Sequence, residues 1–188
     1  MNSQWLRNVR IELRSPEPED LDLLYKMEND TRLWCIGCST LPYSRHTLRA
    51  YLEQSTQDLY AEGQARFIIS LHNGDSAGMI DLANFDPHNS RAEVCIGILD
   101  NYRQQGIATE ALLLLTTYAL DFLHLHQLYA YVPSDNDASL QLFKKAGFEV
   151  TAQLKEWIRD NAQYKDVFLM QIIKNRLSSS EKAEKRGL

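Results

Sequence analysis

The stretch from Arg91 to Phe122 constrains the fold most, because its hydrophobic period changes across a short turn. Residues Arg91 to Leu99 are mostly small or β-branched, with polar residues near the start, which predicts a strand buried on both faces. Residues 100 to 102 (Asp-Asn-Tyr) end that strand. From Gln105 onward, apolar residues recur at helical spacing: Ala108, Ala111, Leu112, Leu115, Ala119 and Phe122. The sequence therefore predicts a buried strand, a turn and a helix.

The start of this helix is suited to an anion. The first N–H groups of a helix have no partner inside it, and the helix dipole favours negative charge there. Gly106 lets a phosphate approach the backbone, and Ala108 keeps the next turn narrow. Arg103 adds forked donors that match a phosphate group. The Walker pattern and G-x-G-x-x-G are both absent from the sequence, so the motif does not indicate a nucleoside triphosphate or dinucleotide site.

Two motifs together resemble a known family. R-x-x-G-x-A at 103–108 resembles the coenzyme A diphosphate loop of the GNAT N-acetyltransferases, written [QR]-x-x-G-x-[GA]. N-D-A-S at 136–139 and K-A-G-F at 145–148 resemble the other half of the GNAT signature, with a predicted strand at Leu128 to Val132 between the halves. On both halves the chain is identified as a member of this family. Its pattern is closest to the ribosomal-protein N-terminal and spermidine acetyltransferase branch.

The resemblance implies the α/β (α+β) GNAT fold, a mixed central sheet of about seven strands flanked by helices, with splayed central strands. The predicted order of elements over about residues 8 to 174 is β, α, α, β, β, β, α, β, α, β, β, which matches that topology. It includes a helix from Thr47 to Glu62 and a strand from Ala77 to Leu82. We expect one domain over residues 1–177 and a polar, flexible tail over 178–188.

The implied activity is acetyl transfer from acetyl-CoA, as cosubstrate, to a primary amine by direct attack in a ternary complex. The implied acceptor is a polyamine, another small amine or a protein N-terminus. In this family the strand carrying Gly97 parts from its neighbour, and its freed backbone groups bind the pantetheine arm. A glycine there also suits a crowded core strand, so its identity alone leaves both interpretations open. The residues implied to bind the cofactor are Ile96, Gly97, Ile98, Arg103, Gln104, Gln105, Gly106, Ile107, Ala108, Thr109, Asn136, Phe143 and Lys145.

Three residues are candidates for catalysis. Glu93 lies among apolar neighbours, where desolvation would raise its pKa towards that of a useful base, although a pair with Arg91 or another cation at the edge of the strand is the structural alternative. Many GNAT enzymes carry a tyrosine seven residues after the motif asparagine, but here Phe143 has no proton to give. Ser139 matches the serine proposed as acid in ribosomal-protein acetyltransferases, and a helix cap is its alternative role. Asn136 is expected to bind the pantetheine or an ordered water.

Substrate residues are expected in the irregular segment Glu28 to Ser44 and in the final hairpin. Trp34, Glu93 and Tyr164 are the candidates, although an aromatic side chain is more often part of the core. Because Phe143 removes the usual acid, an acyl-CoA-binding module without catalysis is the alternative function.

Composition excludes several other classes. A net charge of −5 does not favour a general nucleic-acid binder, and no apolar run is long enough to span a bilayer. No basic region followed by an apolar run opens the sequence, so we expect a cytoplasmic protein. Cys35 and Cys38 have the spacing of a redox pair but lack its strand and helix context, and no metal site is expected. A homodimer is one expected assembly, since dimers are common among relatives.

Overall fold

The structure is a computed structural model that describes residues 4–30, 41–56, 58–160 and 162–174. Its strands are β1 Ile11–Arg14, β2 Ala65–Leu71, β3 Ser76–Asp86, β4 Arg91–Ile98, β5 Gln127–Pro133, β6 Glu149–Asp160 and β7 Gln163–Ile173. Its helices are α1 Leu21–Glu28, α2 Arg45–Gln54, α3 Leu59–Glu62, α4 Ile107–Thr117 and α5 Asp137–Lys145. Short 3-10 turns at Pro18–Asp20 and Asp100–Tyr102 precede α1 and α4, and a π-helical turn at Tyr118–Phe122 continues α4.

The seven strands form one mixed sheet in the order β1-β2-β3-β4-β5-β7-β6. Only β4 and β5 are parallel neighbours within this sheet, and α4 is the crossover helix between them. The other neighbouring pairs are antiparallel. The predicted mixed sheet of about seven strands is confirmed.

The centre of the sheet is splayed. β4 and β5 pair only over Arg91↔Gln127, Ala92↔Leu128 and Glu93↔Tyr129. Beyond that point β4 stays paired with β3 as far as Ile98, and β5 stays paired with β7 as far as Pro133. The two strands therefore part after Glu93, which confirms the predicted splay and leaves one edge of each strand without a ladder partner.

Helices pack on both faces of the sheet. On one face α4 contributes Ala111, Leu112 and Leu115 to the larger buried cluster. On the other face α1 and α2 pack Leu24, Met27 and Leu48 against Ile68 and Met79. Side chains alternate between the faces along each strand, so Asp81, Glu93 and Cys95 share the α1–α2 face with Met79. None of the described helices has the length and apolar character that crossing a bilayer requires.

The structure corrects three local predictions. The helix predicted from Thr47 to Glu62 is two helices, because the Asp58 carboxylate accepts the N–H groups of Tyr60 and Ala61 and starts α3. The strand predicted to end at Leu82 continues to Asp86. Phe122 is 52% exposed, since the π-helical turn rotates it off the buried stripe. The tail 178–188 lies outside the described residues.

Candidate active site

A pocket of about 290 Å³ opens where β4 and β5 part. α1, β3, β4, β5 and α5 all contribute to its walls. Six residues that the sequence singled out line it together: Glu93, Ile96, Gly97, Asn136, Ser139 and Phe143. Residues of β4 and of the 136–139 motif therefore meet in one cavity, whereas residues 103–108 do not line it.

Glu93 is held in this pocket by a neutral partner. The Asn84 amide donates to its carboxylate at 2.7 Å. Asn84 can do so because β3 is irregular between Ala83 and Asp86, where Asn84 has a left-handed backbone (φ 47°). Arg91 instead pairs with Asp86 at 3.1 Å, and among the described residues no cation forms a salt bridge with Glu93. Burial raises the pKa of Glu93, and the bond from Asn84 only partly opposes that shift.

Cys95 lies beside Glu93 and also lines the pocket. Its Sγ approaches a carboxylate oxygen of Glu93 at 3.9 Å. The pKa of the thiol is raised to about 12, mainly by burial and further by the nearby negative charges of Glu93 and Asp81. Because the thiolate is the reactive form, Cys95 is a neutral, weakly nucleophilic group near neutral pH.

A charged cluster that sequence analysis missed forms another wall. Arg66 on β2 binds Asp81 through two nitrogens, with the shortest contact at 2.8 Å, and it binds Glu28 at 2.5 Å. Burial acts to lower the pKa of Arg66, but its attraction to Asp81 and Glu28 outweighs this and raises that pKa. A carboxylate at position 81 within the apolar run 77–82 is the signal that could have indicated this cluster.

Asn136 and Ser139 meet at the start of α5. Asn136 is the N-cap of this helix, and its side-chain oxygen accepts the Ser139 N–H at 3.1 Å. The cap is therefore Asn136 rather than Ser139. Within the described part of the chain the Ser139 hydroxyl has no hydrogen-bond partner, so it is available to a ligand. Phe143 is buried one turn further on and packs edge-on against Phe148, with ring centroids 5.1 Å apart.

An aromatic stack leads from the pocket to the surface, and it too was missed. Tyr131 lines the pocket, and Trp157 of β6 stacks on it with ring centroids 6.3 Å apart. Trp157 is presented by a bulge in β6, where Glu156 has φ 51° and donates its N–H to Asp166 at 2.9 Å. Tyr164, in contrast, lies near the tip of the hairpin, 59% exposed, and does not line this pocket.

The candidate diphosphate loop lies at the start of α4, where the sequence predicted a helix N-terminus. Gly106 is the N-cap of α4 and has φ 81°, a left-handed conformation that favours glycine. The first hydrogen bond into the helix runs from the Glu110 N–H to the Gly106 carbonyl at 3.1 Å. The N–H groups of Ile107, Ala108 and Thr109 therefore lack partners within the helix. Among the described residues outside the loop and its helix backbone, only the Arg10 guanidinium lies within 4 Å of where a Gly106 Cβ would be, at 3.9 Å, so that side of the loop is uncrowded.

Arg103 and its neighbours join this loop to the pocket. The Arg103 guanidinium donates to the Ile98 carbonyl at 3.1 Å and pairs with Asp100 at 3.1 Å. Arg103 and Ile98 share a small cleft of about 30 Å³ with Met27, which also lines the main pocket. Three more residues were predicted to bind the cofactor. Gln104 has a left-handed backbone, the Gln105 side chain donates to the Asn101 carbonyl, and Lys145 is exposed at the end of α5. Trp34, Cys35 and Cys38 lie outside the described residues.

We expect Arg103→Ala to weaken coenzyme A binding by roughly tenfold, because hydrogen bonds to charged groups are worth about 1.5–3 kcal/mol. Amine preference should not change, since Arg103 does not line the main pocket. Titration calorimetry with coenzyme A measures the effect, and Arg49→Ala, which removes an exposed arginine from α2, is the matched control. Equal affinities of the two variants would contradict a cofactor role for Arg103.

A sheet parted at its centre beside the N-terminus of the crossover helix is the arrangement that the resemblance to the GNAT acyl-CoA N-acyltransferases implied. The chain matches the family model described as an acetyltransferase (GNAT) domain over residues 10–149, and it belongs to that family. It is an acetyl-CoA-dependent N-acetyltransferase.

The chain is also similar along most of its length to bacterial proteins named as acetyltransferases. It is 28% identical over 178 residues to a spermidine N(1)-acetyltransferase from Escherichia coli K12, covering 92% of this chain and 90% of that protein. It is 27% identical over 171 residues to the putative ribosomal N-acetyltransferase YdaF of Bacillus subtilis, covering 89% and 93%. A crystal structure of spermidine N-acetyltransferase from Vibrio cholerae with CoA and spermine shares the fold, with a TM-score of 0.79, 24% identity and coverage of 89% and 98%.

Proposed function

We propose that the protein acetylates a primary amine of a small polycationic acceptor, a polyamine. The observation that carries this proposal is the charge of the pocket, where the described lining residues include three carboxylates, Glu28, Asp81 and Glu93, and one guanidinium, that of Arg66. With all three ionised, these four side chains sum to −2. A cationic acceptor is attracted to such walls more strongly than it would be in water, because the dielectric inside a cleft is low.

The strand register spreads these charges along the pocket. Asp81 lies directly opposite Cys95, and Glu93 is two residues away from Cys95 on the same strand. Diagonal neighbours of this kind are about 7–8 Å apart. An acceptor with two or more ammonium groups can therefore place one at Glu93 and another near Asp81 and Glu28.

Glu93 is proposed as the general base. An amine reaches the site as an ammonium ion, and Glu93 takes its proton directly or through a water molecule. The free amine then attacks the acetyl carbonyl carbon, a C–N bond forms and the C–S bond to coenzyme A breaks. Backbone N–H groups of β4, left without a ladder partner by the splay, are proposed to polarise the carbonyl oxygen. Since the Cys95 thiol is neutral, direct attack by the amine is favoured over an acyl-cysteine intermediate.

The departing thiolate needs a proton that Phe143 cannot supply. Among the described residues that line the pocket, Ser139 and Tyr131 carry the hydroxyl groups. Ser139 is the proposed acid because its hydroxyl is free and it lies one turn from Phe143, on the same helix. Asn136 is proposed to hold the pantetheine arm through its amide N–H₂, because its oxygen already caps α5.

The relatives support the proposed acceptor class. The E. coli relative is named a spermidine acetyltransferase, and the V. cholerae structure contains spermine. The B. subtilis relative is named a putative ribosomal N-acetyltransferase, which keeps a protein N-terminus as the competing acceptor.

An acceptor panel tests the proposal. Thiol release from acetyl-CoA should be fastest with a tri- or tetra-amine and slower with a monoamine or a short peptide N-terminus. Glu28→Gln should raise the KM for the triamine by roughly tenfold or more, since charge-assisted bonds are worth about 1.5–3 kcal/mol. It should change the KM for the monoamine less than about twofold.

Glu53→Gln, which neutralises an exposed carboxylate on α2, is the matched control and should leave both KM values as they are. Turnover of the peptide but of no polyamine would overturn the proposed acceptor. Coenzyme A binding without turnover on any member of the panel would instead favour the non-catalytic module.

A further inference from the structure

We infer that Arg10, at the start of the chain, is a positioning residue for the diphosphate loop. Its guanidinium Nη1 donates to the Gln105 carbonyl at 2.8 Å, just before the left-handed Gly106. Neither sequence motif includes Arg10, which precedes β1 and is 95 residues from its loop partner. The inference rests on the proposal that residues 103–109 bind the cofactor diphosphate.

Arg10 is itself held in place by a small polar network. The same Nη1 pairs with Glu110 of α4 at 3.0 Å, and the Asn8 amide donates to the other Glu110 oxygen at 3.1 Å. The Asn8 side-chain oxygen accepts the N–H groups of Arg10 and Ile11 at 2.8 and 2.9 Å. The guanidinium therefore has a defined place between β1, the loop and the first turn of α4.

The bond to Gln105 fixes the direction of a peptide plane. A trans peptide is planar, so its carbonyl and its N–H point in opposite directions. When Arg10 holds the Gln105 carbonyl, the Gly106 N–H must point away from Arg10. Consecutive N–H groups turned to one side form an anion-binding concavity, and this bond keeps the Gly106 N–H in that set.

Without Arg10 the plane is free to rotate. The φ of Gly106, 81° in the structure, is one of the two dihedral angles that set this plane, and glycine accepts either sign of φ at little cost. If the plane rotated, the Gln105 carbonyl oxygen would point where the Gly106 N–H had pointed. Its partial negative charge would then repel a bound phosphate.

The test compares two acetyl donors, acetyl-CoA and acetyl-pantetheine, which lacks the diphosphate and the nucleoside. Arg10→Met keeps the side-chain length but removes the donors. We expect it to raise the KM for acetyl-CoA by roughly tenfold while kcat changes less than about twofold. The kcat/KM for acetyl-pantetheine should stay as in the wild type, which an effect on folding would not spare.

Arg10→Lys should restore part of the acetyl-CoA affinity, because an ammonium group can make one of the two bonds. It is also the second variant to measure if Arg10→Met folds poorly. Arg7→Met, which removes an exposed arginine from the same segment, is the control. Equal losses on the two donors, or no loss on acetyl-CoA, would overturn the positioning role. A wild-type enzyme that uses both donors equally well would overturn the loop assignment, and this inference with it.

Discussion

Glu93→Gln is expected to lower kcat/KM for the acceptor amine by about 10²–10⁴-fold at neutral pH, the range typical of a lost general base. The replacement keeps the shape of the side chain, and its amide oxygen can still accept the bond that Asn84 donates to Glu93. The loss therefore reports on proton transfer rather than on packing. Steady-state rates of thiol release with a polyamine measure it.

The pH dependence identifies the role. Glu93 acts as a base only when ionised, and burial raises its pKa, so the kcat/KM of the wild type should fall as the pH drops through that raised pKa. The variant lacks this group and depends on amine that has already lost its proton. Its deficit should therefore shrink as the pH approaches the pKa of an alkylamine, about 10. If the ratio of the two kcat/KM values stayed constant up to the pKa of the amine, Glu93 would not be the general base.

Stability provides the control for Glu93→Gln. A carboxyl whose pKa is higher in the folded than in the unfolded state favours folding when protonated, and that contribution is lost as the pH rises through the folded pKa. At neutral pH the neutral glutamine should therefore leave the thermal midpoint equal or higher. Glu53→Gln should change neither the rate nor the midpoint, and a lower midpoint in Glu93→Gln alone would indicate a structural defect.

Gly78→Ala is expected to have the largest effect on stability. An added methyl group at Gly78 would lie 2.1 Å from the Gly97 carbonyl oxygen and 3.0 Å from the Ile98 Cα. Both atoms belong to the backbone of β4, so no side-chain rotation can relieve the clash. Overpacking of this kind costs about 1–3 kcal/mol, occasionally more. At the upper end, the thermal midpoint should fall by roughly 6–12 °C for a chain of this size.

The same variant should also weaken cofactor binding, because β3 must push β4 away at Gly97 and Ile98, where the pantetheine arm is proposed to bind. Gly74→Ala is the control: its glycine has φ 93° in a hairpin turn, and nothing lies within 4 Å of the added methyl group. It should carry only backbone strain of about 1–2 kcal/mol. Equal drops in the two midpoints would show that the close approach of β3 and β4 is not what requires Gly78.

The features that sequence analysis predicted are those with local signatures. The helix that begins after Gly106 follows from the change of hydrophobic period and the motif there, whereas the left-handed conformation of Gly106 is a finding of the structure. The helix cap at Asn136 lies inside a motif, although analysis of the motif gave the capping role to Ser139 instead. The prediction of one helix over Thr47 to Glu62 was wrong for a local reason: it did not take account of Asp58 as a helix-capping residue.

The missed features depend on register. Arg66 and Asp81 are partners because β2 and β3 pair them directly, and Glu28 joins them from a helix. Gly78 is required by a carbonyl oxygen 19 positions further along the chain. Sequence patterns indicate which face of a strand is buried, but they do not fix which residue of a neighbouring strand lies opposite.

The bulged strand β6 also determines how this sheet can meet other molecules. β6 is the last strand of the sheet, and between Leu154 and Ile158 it advances four residues while β7 advances two. A second irregularity falls between Val150 and Ala152. A foreign strand laid along this edge would meet only short stretches of evenly spaced backbone groups. This border is therefore a poor template for extending the sheet from one molecule into the next.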